Sequence, residues 1–444
     1  MKRLDFRRSE LAKVIQGITM RGEVMPPKDV VEMVLAYKHD WDWFAHHLSV
    51  MEGSVHMHHE LTTSVGFSWA GSPVFTNRES SGTKTTYSSY LFQFESLMVA
   101  WLAAQALFTE AINAAPMSSA HWVAEEGVEA EEEEDVLGDN TATMKRDSER
   151  DQRACELYMR AYVILASAKV KYQEAFALRS ATTECFLAEM CPNVMDAMLS
   201  LCMAMAQRLV ASSNEILHEF LNHEPELRRL GKLKGPELRA LITTWGLNVD
   251  LLISARCLLQ ESDYPGSPLE RFCLTMYHLA KGKIHNLDVE YLLWKLCYSM
   301  SMVDNVDKQM RCLELARRAG HLAYLHGTLA LLDPMDSSRG AGFMALAIAK
   351  EVRDHILPEA DVAVTRTASW ALMDKPLTDE DFQRCSMDTT FIILPHYQRE
   401  IREAVFEEGP PVNGGFACSK SLENAVQWQV DWDQNLHGEK DKTN

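Results

Sequence analysis

Residues 192–221 read PNVMDAMLSLCMAMAQRLVASSNEILHEFL, and this stretch decides the fold class. Met195, Met198, Leu199, Cys202, Met205, Leu209, Ile216, Leu217 and Phe220 fall at helical spacing, and further apolar residues fill the other faces. A helix apolar nearly all round belongs inside a larger bundle. Pro192 suits its first turn, where the missing N–H has no partner to lose. The most apolar part, Val194 to Val210, carries Asp196, Gln207 and Arg208. It is too short and too polar to be expected across a bilayer.

Outward from this stretch the chain stays helical. Tyr87, Leu91, Phe94, Met98, Trp101 and Phe108 follow helical spacing, with Tyr90, Phe92, Leu97 and Leu102 on other faces. Further helices are expected at about 28–50, 150–187, 236–260, 268–283, 287–302, 305–332 and 339–355, and a short one near 395–408. Strand signals are few. Val65 to Trp69 and Val74 to Thr76 flank Ala70-Gly71-Ser72-Pro73 and read as a small hairpin. After Pro358 the chain reads as extended through Asp361–Thr367 toward Pro376. The expected fold class is mainly α, a helical bundle or α-solenoid. No 34-residue consensus marks a tetratricopeptide array.

Two segments read as lying outside the core. Ala124 to Asp139 holds nine acids, about half of the net charge of −19. Such a block repels itself, so an acidic disordered insertion is expected over about 124–150. The second segment is the tail 409–444: Gly409-Pro410-Pro411 breaks the last helix, and Trp428 and Trp432 stand i, i+4 as if to pin a short helix to the body.

Composition narrows the function. Apolar residues make up 47% of the 444 and charged residues 24%, the mix of an ordinary soluble protein. The acidic balance disfavours nucleic acid as a partner. Ten cysteines form no C-x-x-C pair and most sit in apolar helical patterns, which points to a reducing compartment without disulfides or structural zinc. The N-terminus has charge but no apolar run of a secretory signal, and Lys440 to Asn444 carries no prenylation cysteine. A cytoplasmic location is expected.

No catalytic chemistry stands out. His46, His47, His56, His58 and His59 could bind zinc or copper as imidazoles, but they lack an H-E-x-x-H arrangement and read as a polar helix end and loop. No P-loop, G-x-G-x-x-G or G-x-S-x-G occurs, and Gly340-Ala341-Gly342 has no preceding strand. Neither catalytic residues, a cofactor nor a metal is assigned. Of the 23 methionines, Met195, Met198, Met203 and Met205 lie on or beside the 192–221 helix, where thioethers suit core gaps or an adaptable surface.

Several segments together resemble the Bro domain family, the ESCRT-associated helical domain, and in particular its short single-domain members. Phe67-Ser68-Trp69 resembles the family's F-x-W strand. Thr86 to Glu95 is similar to its Q-S-S-L-x-F-E helix start. Arg153-Ala154-Cys155 with Arg160-Ala161 is similar to A-C-x-x-F-x-K-A, and Pro192 to Gln207 to P-x-x-x-x-A-L-x-x-L-M-L-A-Q-A-Q. Arg353-Asp354-His355-Ile356 resembles N-D-x-I, Lys375-Pro376-Leu377 resembles K-P-L, and Leu394-Pro395 with Glu403 to Glu408 resembles the closing helix. These run from about Val31 to Glu408. The departures are Leu102 in place of the usual Asn, Ala204 to Arg208 in place of A-Q-A-Q-E, and Val210-Ala211 in place of an aromatic pair.

The resemblance implies a Bro-like domain over 1–408 and a tail over 409–444. It implies a boomerang-shaped body with a tetratricopeptide-like core and a small N-terminal β-hairpin or sheet. It also implies a non-enzymatic adaptor, recruited to endosomal membranes, whose protein partner is the amphipathic C-terminal helix of an ESCRT-III subunit laid in a groove. The family's groove follows the segment matched by Ala204 to Gln207. The residues after it on one stripe are Val210, Leu217 and Phe220, spaced i, i+7 and i+10, and these are the peptide-binding candidates. The competing expectation is a diverged helical scaffold for another cytosolic or cytoskeletal assembly.

Overall fold

A computed structural model describes residues 2–21, 25–51, 66–75, 86–89, 92–116, 136–179, 187–223, 234–262, 267–298, helical positions between 312 and 327, and 343–360. Those residues are overwhelmingly helical. The helices are α1 (Lys2–Arg21), α2 (Pro27–Met51), α3 (Phe92–Ala114), α4 (Val136–Arg179), α5 (Pro192–His223), α6 (Lys234–Glu261), α7 (Pro268–Tyr298) and α8 (Phe343–Glu351). The last continues through a π turn, Val352–Ile356, to Ala360. Two short strands, β1 (Phe67–Ala70) and β2 (Thr86–Ser89), pair antiparallel with Phe67 opposite Ser89.

Helices adjacent in sequence pack side by side from α2 to α7. Cross-helix bonds fix their directions. Ser213 donates to Asp151, and Lys169 pairs with Asp196, so α4 and α5 are antiparallel. Asn248 Nδ2 donates to the Ala204 carbonyl and Gln207 Nε2 to that of Thr244, so α5 and α6 are antiparallel. The Arg256–Glu270 pair and Arg239 over the Tyr291 ring do the same for α6 and α7. Finally α8 returns to lie against α3. One continuous apolar cluster runs from Leu4 to Ala360, with Trp101, Phe108, Leu165, Met198 and Leu201 fully buried in it.

Several expectations are corrected. The Val65–Trp69/Val74–Thr76 hairpin is not formed: Pro73–Phe75 is a 3₁₀ turn, buried at Val74 and Phe75, and Phe67–Ala70 pairs instead with Thr86–Ser89. Tyr87 therefore lies in a strand, and the helix begins at Phe92. The expected insertion over 124–150 overlaps α4, which starts at Val136. The like-charge run stops near Asp139; beyond it Lys145 and Arg146 alternate with Asp147 and Glu149, a mixture a helix accommodates. The helices expected at 268–283 and 287–302 are one, α7, because no proline follows Pro268 as far as Tyr298 and Asn286 alone does not break the apolar period. Helix α1 was not expected, although Leu4, Leu11 and Ile18 recur every seven residues and Leu4 and Leu11 are buried. The Ala124–Asp135 acids, Asp361–Thr367, the 395–408 helix and the 409–444 tail lie outside the described residues.

Candidate functional site

Helix α5 has two characters. Val194, Met195, Met198, Leu201, Cys202 and Met205 are buried. Asp196, Leu199, Ser200, Met203, Gln207, Val210 and Asn214, at i, i+3/i+4 spacing, form a stripe that reaches solvent. Val210 is 45% exposed. Leu217 and Phe220 lie on the same helix, but their side chains are outside the described residues, so of the three candidates the structure places Val210 alone.

Neighbouring helices extend this stripe. Lys169 of α4 lies on the α5 side and Tyr162, seven residues earlier, shares its helical stripe; one position on from each stand Val170 and Val163, exposed by 75% and 59%. On α6, Leu247 follows Thr244, whose carbonyl meets Gln207 of α5, and is 53% exposed. Val163 and Val170 of α4, Leu199, Met203 and Val210 of α5, and Leu247 of α6 thus share the outward face of one three-helix layer. Its apolar character is what sequence reasoning missed. Val163 and Val170 occupy a stripe with Glu156, Arg160 and Ser167, so the signal was present as valines at i, i+7 on a polar face.

The inward face of α5 carries a charge network. Arg208 is buried and lies 3.7 Å from Glu359, which Lys283 of α7 approaches at 3.4 Å. Glu351 on α8 is buried 3.9 Å from His355. Burial, reinforced by Glu351, pushes the Tyr158 hydroxyl well above its usual value. These groups tie α5, α7 and the helix following α8 together and face away from the apolar stripe.

Two further buried carboxyls have structural surroundings. Glu95 accepts from Arg8 Nε at 2.9 Å, Tyr37 Oη at 2.6 Å and Trp69 Nε1 at 2.6 Å, joining α1, α2, β1 and α3. Glu189 accepts from the Ser72 N–H at 2.6 Å through one oxygen, while the other has no hydrogen-bond partner. Burial raises the Glu189 carboxyl to about 7 against the pull of that N–H.

His46 and His47 are exposed near the end of α2, where His47 stacks on Trp43; His56, His58 and His59 lie outside the described residues. Among the described residues no group of three or more His, Cys, Asp or Glu side chains could hold a metal ion. The described cysteines are free thiols, and burial pushes those of Cys202 and Cys273 up.

Two described helices are long and apolar enough to cross a membrane, over Gln93–Ala114 and Pro192–Asn214, although Val194–Val210 alone was expected to be too short; 89% and 67% of these windows are buried in the protein. Comparison with known proteins gives no match: no family model, no curated protein and no solved structure is similar to this chain.

Proposed function

We propose that the protein is a non-enzymatic adaptor that receives a short amphipathic helix on the α4–α5–α6 face. The observation that carries this is the apolar set on one layer, with Val163, Val170, Val210 and Leu247 exposed and Leu199 and Met203 half-buried. Scattered apolar residues on a surface need no explanation, but six on one face of three packed helices offer the broad, shallow seat that a partner helix fills with residues at i, i+3/i+4 and i+7. Methionine at 203 suits such a seat, because an unbranched thioether repacks against different partners.

The resemblance to the Bro family assigns the partner: the C-terminal helix of an ESCRT-III subunit, met in endosomal sorting or membrane remodelling. On this reading the whole body is a boomerang-shaped solenoid with a tetratricopeptide-like core. The sequential antiparallel packing of α4 to α7 supports it, since stacked helix pairs are what such a solenoid repeats. Recruitment to an endosomal membrane follows from the partner and uses peripheral contact.

The test is an anisotropy titration of labelled C-terminal peptides from a panel of ESCRT-III subunits against the full chain. Saturable binding of at least one is expected. If none binds, while a pull-down recovers other proteins, the chain is a helical scaffold for a different assembly.

A further inference from the structure

The seam between α7 and the 312–327 segment holds a cluster that helix docking does not use. His278 of α7 and His326 lie ring over ring, with centroids 5.1 Å apart and planes 6° from parallel. They are 7% and 4% exposed, and Nε2 of His326 has no hydrogen-bond partner. Beside them is the tightest point of the seam. A Cβ added to Gly327 would stand 2.8 Å from Leu357, 3.3 Å from Thr275 and 3.4 Å from Val352. Three pieces of chain therefore meet there: α7, the 312–327 segment and the helix that continues α8. One turn along α7, Gly282 lies against Ala319 and Ala316, where a Cβ would be 3.7 and 3.9 Å away. A turn further is His285, buried, with Nδ1 3.9 Å from Asp288.

The surroundings suit neutral rings and not imidazolium. The charged groups acting on the pair are Arg256 from α6 and Arg271 and Lys281 from α7, all cationic. The Glu270 carboxylate lies 3.8 Å from Arg256, the described part of the 312–327 segment also carries His321, and the helix from Phe343 onward carries Glu351 with His355, and Glu359, which meets Arg208 and Lys283. A proton on either ring would place a desolvated charge among cations, about 5 Å from a second imidazole. At Gly327 the seam is tight, since a Cβ there would come within 3.4 Å of side chains of α7 and of the helix that continues α8, whereas at Gly282 the spacing is that of ordinary van der Waals contact.

We propose that the His278–His326 pair is an acid-operated latch, whose protonation frees the 312–327 segment and the helix from Phe343 onward from α7 while the α3–α4 core stays closed. Helices α3 and α4 contain no histidine, so this imidazole latch has no counterpart there. Burial, then the neighbouring cations, hold His326 at about 3 and His278 well below its ordinary value of 6.5. The closed seam is thus favoured above pH 6.5 and loses ground as pH falls toward 3. At pH 5.5 a freed imidazole is about tenfold more protonated than neutral, so each ring raises the open population about tenfold and the pair about 100-fold.

Hydrogen–deuterium exchange of the full chain at pH 7.5 and 5.5, corrected for intrinsic exchange, reads this directly. Amides in 268–298, 312–327 and 343–360 are expected to exchange about 1,000-fold faster at pH 5.5, about 100-fold from the pair and about tenfold from His285, and those in 92–114 and 150–172 to be unchanged. In His278→Leu/His326→Leu the acceleration should drop to the roughly tenfold that His285 can supply. The single variant His326→Gln should fall in between, which keeps the test if the double variant does not fold. No acceleration in the wild type, equal acceleration of 92–114, or a response of about 1,000-fold that survives in a folded variant would each overturn the latch.

Discussion

Helices α3 and α5 have similar composition and opposite situations. Both are long enough and apolar enough to cross a membrane. From Phe94 to Ile112 every residue of α3 is buried, because α2, α4 and α8 enclose it. On α5 the faces toward α4 and α6 are buried, and the stripe from Asp196 to Asn214 reaches solvent. Composition alone does not separate core from surface; the number of neighbours a helix has does. An apolar residue on α3 can only be packing, whereas one on α5 is packing at Leu201 and accessible at Val210.

The largest expected effect is at the N-terminal end of α3. Glu95→Ala removes the acceptor for Arg8, Tyr37 and Trp69 together and leaves their donors without a partner. Breaking a buried charge pair from one side costs about 3–5 kcal/mol, so urea denaturation should show a loss of that order. If the loss is small, water reaches the knot and α3 is less enclosed than described. Next comes Leu201→Ala on the inner side of α5, expected to cost about 2–5 kcal/mol as a cavity in a fully buried site.

How much of this was legible beforehand follows the same line. The interior of α5 was readable because its apolar residues recur at helical spacing whatever surrounds them. The outward stripe was not, because exposure depends on α4 and α6 and leaves no mark on α5's own sequence; Val210 was reached through the family resemblance. Tyr87 was misread for a related reason: a tyrosine four residues ahead of Leu91 fits a helical period, and only pairing with Phe67–Ala70 makes it a strand residue. The Glu95 knot and the His278–His326 pair join residues 87 and 48 positions apart at their widest, beyond any periodic signal.

A smaller effect separates the two ends of the molecule by pH. His285 and His326, held at about 3, contribute stability that is full above 6.5 and is lost as pH falls toward 3, roughly 1 kcal/mol each between pH 7.5 and 5.5. Glu189 works the other way. Its carboxyl, raised to about 7, contributes stability that is full below 4.5 and is lost as pH rises through 7, so acidification returns roughly 2 kcal/mol. With His278, also held well below 6.5, the histidines outweigh Glu189 in the wild type, and Glu189 offsets part of their loss. Glu189→Gln should therefore denature more easily than the wild type does when pH is lowered from 7.5 to 5.5, by roughly 2 kcal/mol in urea titrations at the two pH values. An unchanged pH response would place water at the Glu189 carboxyl.

The smallest effect on stability and the largest on function are expected at one residue. Val210→Asp puts a carboxylate where solvent already reaches, so circular dichroism and the urea midpoint should move by no more than about 0.5 kcal/mol. The deciding measurement is the titration of this folded variant, beside the wild type, with whichever ESCRT-III C-terminal helix the wild type binds. Weakening by tenfold or more is predicted, since a partner's apolar face would have to desolvate the new charge. Equal affinity in the two proteins would contradict docking on the α4–α5–α6 face.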